Sequence, residues 1–180
     1  MTALSSFEVL SQPLIPNGDP SIPYVVQAYF VQVSYPSGEA GGPVSFDLTF
    51  EETTNFTQGV GPTGVMAQSV DAAGDLVMDP SFIASPTGPF GFLNQQISPG
   101  QTKIYSVTVA PPKAPPTAAA SDAMPQTGTG WRGVANLNPS TAGLLVATPT
   151  QRQIYFTGDL KSITDSVVYS VPTVSGETRF

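Results

Sequence analysis

Proline and glycine interrupt the chain so often that no stretch between them sustains a helical period. There are 19 prolines and 17 glycines spread over 180 residues. Proline removes a backbone donor and glycine loosens the backbone, so both break helices. Between the interruptions stand short runs of Val, Thr, Tyr, Phe and Ile. Such residues favour extended strands, and short strands bounded by turn residues mark an all-β chain. The expected fold is all-β: an antiparallel β-sandwich, jelly-roll or immunoglobulin-like, in a single domain over residues 1–180.

Tyr24 to Tyr35 is the strongest strand signal. Val25, Tyr29, Val31, Val33 and Tyr35 share one face, and Val26, Ala28 and Phe30 the other. A strand apolar on both faces sits centrally or is covered outside. Val44 to Glu51 alternates cleanly, with Val44, Phe46, Leu48 and Phe50 inward and Ser45, Asp47, Thr49 and Glu51 outward. That is the pattern of a half-buried antiparallel strand. Further strands are expected at Leu76–Met78, Lys103–Val109, Gly133–Leu137, Gly143–Thr148, Gln153–Thr157 and Ser166–Val171.

An internal repeat is visible at an offset of 69 positions. Gly59, Gly61, Gly64, Val65, Ala73, Gly74, Leu76, Val77 and Pro80 match Gly128, Gly130, Gly133, Val134, Ala142, Gly143, Leu145, Val146 and Pro149. The candidate repeat units are 24–91 and 92–172. Two similar β units of this kind would bury each other's apolar faces. Residues 110–130, opening Ala110-Pro111-Pro112-Lys113, form the one compositionally biased segment. They read as a long loop, or as an arm reaching a neighbouring subunit.

The chain has no histidine and no cysteine. Histidine-activated nucleophiles, thiolate chemistry, disulfides and histidine- or cysteine-ligated metals are therefore outside its repertoire. No cofactor and no metal site is expected. Asp71, Asp75 and Asp79 are acidic neighbours, but their spacing does not follow a calcium loop. Gly59–Gly64 and Gly128–Gly133 both fit Gly-x-Gly-x-x-Gly without a helix to follow, so they read as turns rather than phosphate cradles. Asn55-Phe56-Thr57 fits a glycosylation sequon, which acquires meaning only in a secreted chain.

Charged residues are 11% of the chain, against roughly 25% in ordinary proteins. The six basic residues form no stripe and the net charge is −7, so neither nucleic acid nor an anionic membrane is an expected partner. Met1–Glu8 has neither a basic nor a continuous apolar stretch, so it does not read as a secretory signal. The expected setting is cytoplasmic, or virion- or assembly-associated.

Low charge, two-faced apolar strands and a candidate arm point to a structural or assembly protein that is not an enzyme, with copies of itself as partner. The alternative is a ligand-binding module, a carbohydrate being the plainest partner. Its candidate binding residues are Trp131, Arg132 and Tyr155, supported by Tyr29, Tyr35 and Tyr169. Tryptophan and arginine are also enriched at subunit contacts.

Overall fold

A computed structural model describes residues 2–14, 23–38, 41–55, 65–77, 82–83, 90–109, 129–157 and 162–180. These residues form eleven strands and no helix. In chain order they are β1 (Thr2–Pro13), β2 (Tyr24–Ser34), β3 (Val44–Asn55), β4 (Val65–Val70), β5 (Leu76–Val77) and β6 (Phe82–Ile83). β7 (Phe90–Ile97), β8 (Thr102–Val109), β9 (Thr129–Pro139), β10 (Val146–Phe156) and β11 (Ile163–Ser170) follow. Every pairing is antiparallel.

The sheet runs β5-β4-β8-β2-β1-β9-β3-β7-β6, and β10 with β11 attaches to the other edge of β2. β2 is the branch point. Its residues 24–27 pair with β1 and its residues 28–34 pair with β8 along the same edge. β10 follows the opposite edge from Tyr24 to Ser34. The sheet therefore divides at Gln27–Ala28, and its two limbs curl into a half-barrel around one core.

Side chains from both limbs meet in that core. Phe7 of β1 stands 5.9 Å from Tyr29 of β2, and Tyr105 of β8 lies 4.9 Å from Phe92 and 5.8 Å from Phe46. Such tilted and edge-on ring pairs are the favoured aromatic geometry. Val44, Phe46, Leu48 and Phe50 are buried as their alternation predicts. Thr49, expected outward, is also buried, because β7 and β9 flank it at Gly91 and Asn136.

Pairing corrects two strand expectations. The runs at 143–148 and 153–157 are one strand, β10, passing through Pro149. Pro149 accepts from Val171 N–H through its carbonyl, on the edge away from β2. Its missing N–H faces that same outer edge, where no ladder bond with β2 is lost. β1 is the second case: a full-length strand whose signal is broken by inward serines and a bulge between Ala3 and Ser5.

The matched repeat positions Gly74 and Gly143 both turn with positive φ, 93° and 79°. β4 and β5 flank the first turn as a hairpin, whereas β9 and β10 pair with different strands. Gly59, Gly61, Gly64, Pro80 and Gly128 lie outside the described residues, as do 110–128 of the candidate arm.

Candidate functional site

Trp131 is part of the core. It lies on β9, 1% exposed, with its ring 4.5 Å from Phe7 and 6.1 Å from Phe50. A buried indole has no free face on which a sugar ring can stack, so the stacking role expected of Trp131 has no surface to act from. The neighbouring Gly133 explains the tight fit. A Cβ at that position would lie 1.8 Å from the Glu51 carbonyl oxygen and 2.9 Å from the Phe7 ring. The glycine there admits close backbone approach under an aromatic cover.

Arg132 follows Trp131, so strand alternation turns it to the opposite face. Its Nε donates to Glu8 Oε2 at 2.8 Å and its Nη2 to Oε1 at 3.3 Å. Glu8 and Arg132 are directly opposed in the β1–β9 register. The pair is bidentate but the arginine is half exposed, so its contribution to stability is small. That hydrogen bond, with the attraction of the carboxylate, raises the guanidinium pKa further.

Tyr155 projects from β10. Its hydroxyl donates to Gln153 Oε1 at 3.0 Å. Gln153 Nε2 in turn reaches Gln27 Oε1 at 3.2 Å and the Tyr169 hydroxyl at 3.5 Å. Tyr169 stands on β11, opposite Gln151, whose amide donates to the Glu8 carbonyl. Partial burial raises the Tyr169 pKa, and the Glu8 carboxylate and Tyr155 add to it. Arg132 and Tyr155 are thus linked through Glu8 and Tyr169 on one surface, with Trp131 beneath. Tyr29 and Tyr35 are core residues.

β11 borders this surface, and all eight of its residues are exposed. Ile163, Val167, Val168 and Tyr169 are the large apolar ones, Val168 at 55%. Among the described residues β11 pairs only with β10, so its outer backbone edge is open. Glu8, Gln153 and the β11 edge were not legible as site features in the sequence. Only the long-range pairing of β1, β10 and β11 assembles them.

Two other places hold polar groups. A cleft of about 460 Å³ lies where residues 175–180 pack against the turn between β9 and β10, lined by Thr2, Asn138, Glu177, Arg179 and Phe180. Asp71 caps the β4–β5 turn, with Oδ1 accepting from Asp75 N–H at 3.0 Å and Ala73 N–H at 2.9 Å. Asp79 lies outside the described residues, as do Phe56 and Thr57 of the sequon. No helix among the described residues is long and apolar enough to cross a membrane. In comparisons with known proteins the chain matches no family model and no curated protein.

Proposed function

We propose that this protein is a non-enzymatic assembly subunit whose copies associate through β11. The observation that carries the reading is β11 itself, an open edge strand of eight exposed residues. An unprotected edge is a template for another strand, and protein edges are ordinarily kept short or charged. Among the described residues the ends of the main path, β5 and β6, are two residues each. β11 is longer and carries one charge, Asp165. In this reading the two limbs serve as the layers of a sandwich, supported by the packing of Tyr105 on Phe46 and Phe92. An assembly-associated setting suits it.

The test is molar mass by light scattering across a concentration range, for the wild type and for Val168→Glu. The wild type is expected to grow in mass with concentration and the variant to stay monomeric. The variant's stability should change by no more than about 0.5 kcal/mol, as for other surface substitutions. A wild type that stays monomeric throughout would rule the reading out.

A second reading is favoured by the Tyr155–Gln153–Tyr169 array. Two phenol groups and an amide on an open surface offer ring faces and hydroxyl partners to a neutral carbohydrate. Calorimetric titration with oligosaccharides, repeated on Tyr155→Ala, separates this reading from the first. Binding lost in the variant supports it, and no binding by the wild type rejects it.

A further inference from the structure

We propose that β11 pairs antiparallel with β11 of a second copy, about a twofold axis through Val168. The inference rests on the assembly reading and adds the register. Val171 N–H donates to the Pro149 carbonyl at 3.1 Å. Backbone groups alternate sides along a strand, so Asp165, Val167 and Tyr169 also face β10. Ser166, Val168 and Ser170 then present their N–H and C=O groups to the open edge. Ser166 agrees independently, because its N–H is taken by the Asp165 carboxylate at 2.7 Å and not by β10.

This regular edge is bounded at both ends. Asp165 pairs with Tyr155 and Ile163 with Phe156, so Thr164 is an extra residue that kinks the strand. At the other end stands Pro172, which has no N–H to offer. Thr164 and Pro172 are equally distant from Val168 in sequence. A twofold axis at Val168 sets each limit opposite the other and brings every outward group between them into register, with the Ser166 N–H held by Asp165.

The side chains suit the same axis. Ser166 of one copy meets Ser170 of the other, Val168 meets Val168, and Val167 meets Tyr169. Polar faces polar, and aromatic faces β-branched, which are favourable cross-strand pairs. The Asp165 carboxylates fall at opposite ends of the ribbon, about 20 Å apart at the usual strand rise. That exceeds the screening length of roughly 8 Å at physiological salt. Moving the axis to Val167 sets Ser170 against the kink at Thr164, and moving it to Tyr169 sets Ser166 against Pro172. Either shift loses hydrogen bonds. An axis between residues opposes outward groups to inward ones and forms no ladder.

The chain has no cysteine, so single cysteines report the register without background. Val167→Cys, Val168→Cys and Tyr169→Cys are oxidised mildly at a concentration where light scattering shows association. Residues directly opposed in such a hydrogen-bonded pair have Cα atoms about 5.5 Å apart, the usual disulfide separation. Val168→Cys is therefore expected to form disulfide-linked dimer at least about tenfold faster than the other two, whose equivalent positions are diagonal and beyond bridging distance. Faster linkage at 167 or 169 overturns the Val168 register while leaving assembly through β11 standing. Association with no linkage at any of the three overturns β11 pairing itself. A protein that stays monomeric at every concentration overturns the assembly reading, and the register with it.

Discussion

Ser5 and Ser11 face inward on β1, and each meets a buried tyrosine hydroxyl. Ser5 Oγ lies 2.6 Å from Tyr29 OH, and Ser11 Oγ donates to Tyr24 OH at 2.9 Å. A serine at a core position reads as a break in the apolar pattern, which is why β1 is hidden in the sequence while β2 and β3 are plain. Burial drives the Tyr29 phenol pKa well above its ordinary value, so the hydroxyl stays neutral and needs its partner. Ser5→Ala is expected to cost about 1–3 kcal/mol, the penalty of a buried hydroxyl left unpaired. Tyr29→Phe in that background should recover part of the loss, a coupling that denaturant unfolding of the two single variants and the double variant measures. Asp71 is legible in another way, as an acid in a Gly-containing turn. Backbone N–H donors, Asp75 first, hold its carboxyl below the ordinary value. A lowered folded-state pKa adds stability above the unfolded pKa, and that stability is lost as pH falls through the folded value. Asp71→Asn should therefore flatten the acid limb of a stability-against-pH profile below about pH 4, where a free Asp titrates. An unchanged acid limb would show that the turn contributes nothing to it.

Among the elements, the clearest lesson lies in β9 and β10. Gly130 and Gly133 around Trp131 suggest a loop with an exposed ring, yet both are residues of β9, Gly130 paired with β1 and Gly133 flanked by β1 and β3. Glycine marks a turn and a crowded central strand alike, and sequence spacing does not separate the two uses. Pro149 misleads similarly, since only the pairing reveals which side of β10 lacks a donor. Arg132 and Tyr155 were legible as polar and aromatic surface groups, but Glu8, 124 residues from Arg132, joins them only through register. β11 carries its own restraint. The Asp165 carboxylate occupies the Ser166 N–H, one of the outward donors a second strand needs. Charge near a sheet edge limits edge pairing. Asp165→Ala frees that donor in both copies and should tighten self-association by about tenfold or more, as two hydrogen bonds of about 0.5–1.5 kcal/mol each imply. Sedimentation across a dilution series reads the shift directly, and weaker association would mean that Asp165 contributes to the contact.

At the scale of the whole molecule, the candidate units 24–91 and 92–172 are interleaved rather than side by side. β8 lies between β4 and β2, β10 pairs with β2, and β9 pairs with β3. Each unit would leave ladder groups unpaired if it folded alone, and unpaired buried backbone groups are costly. The shared core makes the same point through side chains, because Tyr29, Phe46 and Phe50 from one unit pack with Phe92, Tyr105 and Trp131 from the other. Burial of each set depends on the presence of its counterpart. The expected outcome is one cooperative unfolding transition, with the calorimetric enthalpy equal to the van't Hoff enthalpy. Fragments 24–91 and 92–172 should each lack native near-ultraviolet circular dichroism when made separately. Two resolved transitions, or one fragment with native dichroism, would mean that a β unit is autonomous. A single transition would mean that the interleaved units fold as one body, and substitutions around Gln27 and Ala28, where the sheet divides, are then expected to weaken the whole sheet at once.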